Sequence, residues 1–267
     1  MEFGLFGARA VVTGGSKGIG RAVAETLAAE GASVAVMARG QEAINASVAA
    51  LHAAGSTDSF GVVTDFADAG SITASFAEVA QRWDELNVLV HTIGPKGGAF
   101  ENLDDDAWAE TLNLGTMGTV RAVRAALPLL RAAEWGRIVT FAASSIRRPN
   151  NRTIAYTASK SATASITKTL AKELGAAGIL VNCVCPGTIV SASFTESLAP
   201  WLAADGLDAT DPIDVMTWIR DKFGESASLG RAGLPEEVAS LTTYLVSRRN
   251  GYVTGATINV DGGSDFF

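Results

Sequence analysis

Tyr156 and Lys160 stand four apart in Tyr156-Thr157-Ala158-Ser159-Lys160. On a helix this spacing puts both side chains on one face, one turn apart. A phenol titrates near ~10 in water and is a poor acid–base catalyst at neutral pH unless its surroundings perturb it. A nearby ammonium favours the phenolate and lowers that pKa. The pair can then donate a proton to a carbonyl oxygen or take one from an alcohol. The spacing alone is common, so other residues must supply the rest of the chemistry.

A second constellation lies near the N-terminus, in Thr13-Gly14-Gly15-Ser16-Lys17-Gly18-Ile19-Gly20. It follows an apolar strand-like run and precedes a helical pattern. Glycines at 14, 18 and 20 permit a tight turn and close backbone approach to a phosphate. The helix N-terminus beyond the turn offers free N–H groups and partial positive charge to a pyrophosphate. Dinucleotide binding is the expectation; a purely structural turn is the alternative. The residue ending the next strand should select the nucleotide. A carboxylate there would bind ribose hydroxyls and repel a 2′-phosphate. This chain has Ala38-Arg39 instead, with no acid before Glu42. Arg39 and Lys17 could grip a phosphate, which points to NADP(H).

The elements that must position these residues alternate along the chain. Strand patterns cover 9–13, 33–37, 60–64, 86–93, 137–142, 179–185 and 256–260. Helical patterns cover 21–30, 41–54, 69–82, 104–133, 156–177 and 235–247. Such alternation implies right-handed βαβ units and a mostly parallel sheet covered on both faces. The expected fold class is therefore α/β, a Rossmann-type doubly wound parallel sheet. No Pro/Ser-rich linker or charge block divides residues 1–267, so one domain is expected. The rhythm breaks at 188–232, an apolar-rich insertion carrying Phe194, Trp201, Trp218 and Phe223. An insertion after a strand end reads as a substrate loop or as an ordinary packed excursion.

Over essentially its whole length the chain resembles the short-chain dehydrogenase/reductase family, in the branch of about 250 residues that includes 3-oxoacyl reductases. The glycine turn is similar to the family's Thr-Gly-x-x-x-Gly-x-Gly, and Tyr156 and Lys160 match its Tyr-x-x-x-Lys. Asn182-Cys183-Val184-Cys185-Pro186-Gly187 matches the segment that lies against nicotinamide. The C-terminal stretches Arg231 to Val238 and Thr254 to Gly263 complete the pattern. The resemblance implies a catalytic set of Asn113, Ser144, Tyr156 and Lys160. It implies cofactor contacts from Gly14, Ser16, Lys17, Gly18, Ile19, Gly20 and Arg39, from Asp65 and Phe66 after the third strand, and from Thr92 and Gly94. Tyr156, Lys160, Pro186, Gly187, Ile189 and Ser191 would complete those contacts. Tyr156 would protonate a developing alkoxide, Ser144 would polarise the carbonyl, Lys160 would hold the nicotinamide ribose, and Asn113 would position a relay water.

Two departures stand out. The family's Asn-Asn-Ala-Gly after the fourth strand is His91-Thr92-Ile93-Gly94 here. His91 could brace the strand through a ring nitrogen or relay a proton. The carbonyl-binding Ser position, about thirteen residues before the Tyr in this family, is Ala143, followed by Ser144 and Ser145. Ser144 can take the role only where the strand has ended or bulged.

These readings give an NADP(H)-dependent oxidoreductase that moves a hydride between nicotinamide and a ketone or secondary alcohol, with carbonyl reduction favoured. The alternative is a degenerate member that binds NADP(H) as a non-catalytic sensor or scaffold. The net charge of −7 offers no basic face for nucleic acid. No apolar run reaches the roughly 18 residues of a membrane span. No basic segment precedes an apolar one at the N-terminus, so a cytoplasmic location is expected. The two cysteines, Cys183 and Cys185, read as reduced core thiols, since a bridge between strand positions i and i+2 is strained. With only His52 and His91 as histidines, no metal site is expected. The partners are then a small carbonyl or alcohol substrate and further copies of the chain, a dimer or tetramer built on 104–133 and 156–177. Phe266-Phe267 would pack at a subunit contact. Arg147, Arg148 and Arg152 lie between Ser144 and Tyr156, and read either as a solvated loop or as attraction for an anionic substrate.

Overall fold

The computed structural model describes residues 3–264, so Phe266-Phe267 lies outside the described residues. One sheet of seven parallel strands runs through the molecule in the order β3-β2-β1-β4-β5-β6-β7. The strands are β1 (Arg9–Thr13), β2 (Ser33–Ala38), β3 (Phe60–Val63), β4 (Val88–His91), β5 (Gly136–Phe141), β6 (Ile179–Pro186) and β7 (Thr257–Val260). The sequence pattern located all seven, with β4 shorter than the 86–93 run. The strand order reverses beside β1, where β4 takes its free edge. In open α/β sheets the crevice at that switch point takes ligands.

Helices α1 (Gly18–Ala29), α2 (Gln41–Ala53), α3 (Ala69–Arg82), α5 (Gly118–Ala132), α6 (Ile154–Leu174) and α9 (Pro235–Val246) cover the sheet; α4 (Asp105–Leu112) precedes α5. The central strands β1, β2, β4 and β5 are buried on both sides, which is why they read as mostly apolar runs. One face packs Val12, Val34, Val90 and Val139 with Val23 and Leu27 of α1 and Val238 and Leu245 of α9. The other packs Val11, Leu89 and Ile138 with Phe76 of α3 and Val123 and Leu130 of α5. Leu27 is fully buried, and truncating such a residue to Ala costs about 2–5 kcal/mol.

The helical run expected over 104–133 is interrupted. Residues Asn113–Met117 form a π-helical turn between α4 and α5. Gly115 and Gly118 weaken the regular helix here, and π-turns inside helices often sit at functional sites. The 188–232 insertion forms α7 (Ala192–Ala204) and α8 (Pro212–Phe223). These build a small core of their own around Leu202, Val215, Met216, Trp218 and Ile219.

Candidate active site

The glycine turn joins β1 to α1. Its Gly14 N–H donates to the Met37 carbonyl at 2.7 Å, and the Ser47 hydroxyl donates to the Gly15 carbonyl at 3.0 Å. A Cβ on Gly20 would stand 2.3 Å from the Gly14 carbonyl oxygen, so only glycine lets helix and turn approach this closely. Helix α1 carries no acid in its first turn and no side-chain cap. Its first N–H groups are therefore left for an anion. Lys17 and Arg39 line the cleft above this helix end, both exposed, and neither is paired with a carboxylate among the described residues. Asp65 stands at the cleft's far wall. Phe66 also borders the cleft, but its ring is buried and meets His91 edge-on, with centroids 5.5 Å apart. This cradle fits a dinucleotide carrying an additional phosphate.

A second cleft continues from the first and shares Ile19, Thr92, Gly94, Phe141 and Ser191 with it. It is lined by Ser144, Tyr156, Lys160, Pro186, Gly187 and Ile189. Thus every residue expected at the site from the sequence borders one of two contiguous clefts, with the exception of Asn113.

Tyr156 and Lys160 occupy the first two turns of α6, on the face turned to the sheet. Lys160 is buried, and its Nζ donates to the Ile93 carbonyl at 3.0 Å and the Phe141 carbonyl at 2.7 Å. It lies 5.8 Å from the Tyr156 ring centroid. Burial pushes Lys160 down to about 8 and Tyr156 up to about 12. The sequence reading, in which the ammonium lowers the phenol's pKa, is reversed. Leaving water disfavours the phenolate, and this outweighs the effect of the Lys160 ammonium 5.8 Å from the ring centroid. Tyr156 is therefore a protonated phenol at neutral pH, suited to giving a proton to a carbonyl.

Strand β5 ends at Phe141, and residues Ser144–Ile146 form a single 3₁₀ turn. Ser144 is thus off the strand, and the pleat no longer dictates its direction. Ser145 accepts a hydrogen bond from the Thr157 hydroxyl at 3.0 Å; the Ser144 carbonyl accepts from the Arg147 and Arg148 N–H groups at 3.0 and 3.1 Å, and its hydroxyl has no hydrogen-bond partner among the described residues. Both border the catalytic cleft.

Asn113 borders neither cleft. Its amide nitrogen donates to the Ala67 carbonyl at 2.9 Å, and its oxygen accepts from Arg121 at 2.7 Å. These bonds hold its side chain against the loop after β3. Gly115 and Thr116 of the π-turn meet α6: the Thr116 hydroxyl donates to Ser159 Oγ at 3.3 Å, and a Cβ on Gly115 would lie 2.1 Å from Ser159 Oγ and 2.9 Å from Pro95. Sequence reasoning missed Gly115, although two glycines in a helical run marked the place.

His91 sits in a row set by strand register, with Thr13 on one side and Thr140 then Cys183 on the other. Its Nδ1 lies 2.9 Å from Thr13 Oγ1. Burial, with the Lys160 charge adding to it, lowers its pKa to about 3, so the ring is neutral. The bond to Thr13 ties β4 to β1, the bracing role. Cys183 and Cys185 are free and buried on the sheet face under α6. Of the arginine cluster, Arg148 donates to the Ser264 carbonyl. Arg152 lies over the Phe223 ring, 3.9 Å from its centroid. Both therefore brace the loop to neighbouring segments, which no sequence motif signalled. No group of three metal-ligating side chains gathers among the described residues.

The family model described as enoyl-(acyl carrier protein) reductase matches residues 14–265. The short-chain reductase protein NovJ of Streptomyces niveus is 34% identical over 255 residues, covering 95% of this chain and 92% of that protein. The 3-oxoacyl-[acyl-carrier-protein] reductase FabG of Aquifex aeolicus is 31% identical over 265 residues, covering 98% and 99%. Among solved structures, L-sorbose reductase from Gluconobacter frateurii, complexed with NADPH and L-sorbose, superposes with a TM-score of 0.91 at 29% identity, covering 99% and 98%. An actinorhodin polyketide ketoreductase with NADPH gives 0.86 at 30% identity, covering 98% of each chain. A switch-point crevice behind a glycine turn, a Tyr–Lys pair on one helix face and matches of this extent lead to one conclusion: the chain belongs to the short-chain dehydrogenase/reductase family.

Proposed function

We propose that this protein is an NADP(H)-dependent oxidoreductase that reduces a ketone to a secondary alcohol. One observation carries the reading: the Tyr156–Lys160 pair borders a cleft continuous with the nucleotide cradle. The relatives support it, since NADPH is bound in the sorbose reductase and polyketide ketoreductase structures. Nothing in them favours a non-catalytic sensor.

NADPH, when bound, supplies the hydride. The α1 N-terminus would hold its pyrophosphate, with Lys17 and Arg39 on the 2′-phosphate. Tyr156 donates its phenolic proton to the oxygen that becomes the alkoxide. Ser144 donates a hydrogen bond to the same oxygen, which stabilises charge as it develops. Lys160 keeps its ammonium beside the phenol and is held there by the Ile93 and Phe141 carbonyls. No relay step is assigned to Asn113.

The insertion 188–232 belongs, on this reading, to the same single domain as a substrate loop. Exposed Leu112 and Met117 in the helical region 104–133 and Ile154 at the start of α6 support a homodimer or homotetramer. No helix among the described residues is long and apolar enough to cross a membrane. Two buried free thiols are compatible with the reducing cytoplasm we propose as its location. The test is NADPH oxidation over a panel of ketones. Turnover of at least one, lowered by about 10²-fold or more in Tyr156→Phe, is expected; NADPH binding without turnover across a broad panel would refute the assignment.

A further inference from the structure

The catalytic cleft does not end at Ser144 and Ser145. These two hydroxyls also line a narrow chamber that runs away from Tyr156, between the start of the insertion and the C-terminal segment. Met216 and Ile219 of α8 form one side. Its lining also includes three charged side chains, Arg148, Glu225 and Asp261.

Two of the three are already engaged. Arg148 donates to the Ser264 carbonyl. Asp261 accepts from the Gly263 N–H at 3.0 Å and from the Asn259 amide at 3.2 Å. Glu225 is half-buried and makes no hydrogen bond or ion pair among the described residues. The sequence just before it explains its position. Arg152 holds Phe223, and Trp218 meets the same ring edge-on with centroids 5.3 Å apart. This fixes the C-terminal end of α8. Gly224 then turns the chain in a left-handed conformation, φ 68°, and delivers Glu225 to the chamber.

We infer that Glu225 is a specificity-determining residue that accepts a hydrogen bond from a hydroxyl group on the substrate, distal to its carbonyl. The proposal rests on the ketone-reductase reading and names its substrate class: neutral, hydroxylated ketones. A carboxylate with open acceptor positions favours a donor. A carboxylate or phosphate on the substrate would face Glu225 and Asp261, while the Arg148 guanidinium beside them disfavours an ammonium. An alkyl end would leave Glu225 desolvated and unpaired. The clustered arginines thus do not make this an anion site.

The experiment compares three ketones of similar size with NADPH: 5-hydroxy-2-pentanone, its isostere 2-hexanone, and 4-oxopentanoate. The expected kcat/KM is about tenfold higher for the hydroxyketone than for 2-hexanone, and lowest for 4-oxopentanoate. Glu225→Leu should bring the hydroxyketone to 2-hexanone ratio below about threefold, with NADPH affinity retained as the check on folding. Glu225→Gln, whose amide oxygen still accepts, should keep part of the ratio. A wild-type ratio near one, or a ratio unchanged in Glu225→Leu, overturns the proposal and leaves the reductase reading standing. If NADPH binds but no ketone is reduced, the reductase reading falls and takes the proposal with it.

Discussion

Lys160 Nζ donates to the Phe141 carbonyl at 2.7 Å, which ties the catalytic helix α6 to the last residue of β5. The bond fixes the ammonium at the floor of the cleft and sets how the pair titrates. Burial holds Lys160 at about 8 and Tyr156 at about 12. Tyr156 therefore stays protonated through the neutral range, while Lys160 loses its charge just above it. Ketone reduction should be level near neutral pH and decline above about pH 8, as the cation beside the phenol disappears. Tyr156→Phe should lower kcat by about 10²–10⁴-fold with NADPH affinity retained. A reduction rate that keeps rising well above that pH would contradict this assignment of charge.

Nucleotide choice should follow Lys17 and Arg39, the exposed cations at the cradle. The wild type should bind NADPH more tightly than NADH. Arg39→Asp should reverse that order by placing a carboxylate where the 2′-phosphate would sit, and Lys17→Ala should weaken NADPH alone. Fluorescence titration with both nucleotides reads the result, and equal wild-type affinities would refute the roles.

His91 predicts an acid limit on stability. Its folded pKa, about 3, lies below the ordinary value of 6.5. Below pH 6.5 the unfolded chain takes up a proton that the folded chain refuses. Stability from this group is complete above pH 6.5 and is lost progressively as pH falls toward 3. In His91→Asn, which keeps a polar group but cannot titrate, denaturation midpoints between pH 6.5 and 4 should fall less steeply than in the wild type. Parallel pH curves for the two proteins would show that another group sets the limit.

The carbonyl-facing hydroxyl can be assigned by two single variants. Ser144→Ala should reduce kcat about 10²-fold or more, the effect of losing one oxyanion-type donor. Ser145 is held by Thr157, so Ser145→Ala should do less. The opposite order would move the role one residue along the turn.

The fold was legible because the buried strands are dominated by apolar runs such as Val11-Val12 and Val34 to Met37, separated by helical patterns and turns. The nucleotide cradle was legible for the same reason, since it is built from contiguous residues. The failures came where distant segments meet. The helical run expected over 104–133 is broken by a π-turn that rotates positions within Asn113–Met117, and residue type cannot reveal that rotation. The Arg148, Arg152 and Glu225 environment depends on how α8 and residues 261–264 fold back beside the catalytic loop, and no local pattern encodes it. The Tyr156 titration was misjudged because spacing shows that Lys160 is near but not how deeply the phenol is buried.

That rotation yields a discriminating pair of variants. Gly115 leaves no room beside Ser159 Oγ, and Ser159 is fully buried next to Lys160 in α6. A methyl group at 115 must push α6 or distort the π-turn, and neither neighbour is the loose end of a long side chain. Gly115→Ala should therefore displace Lys160 from its two carbonyls, cutting kcat by about tenfold or more and lowering thermal stability by about 1–3 kcal/mol. Asn113→Ala removes two hydrogen bonds to the loop after β3 and to Arg121, outside the cleft. It should cost about 1–2 kcal/mol of stability with kcat within a few-fold of wild type. Steady-state kinetics beside thermal melts separate the cases: a large kcat loss in Asn113→Ala at unchanged stability would return that side chain to the catalytic set.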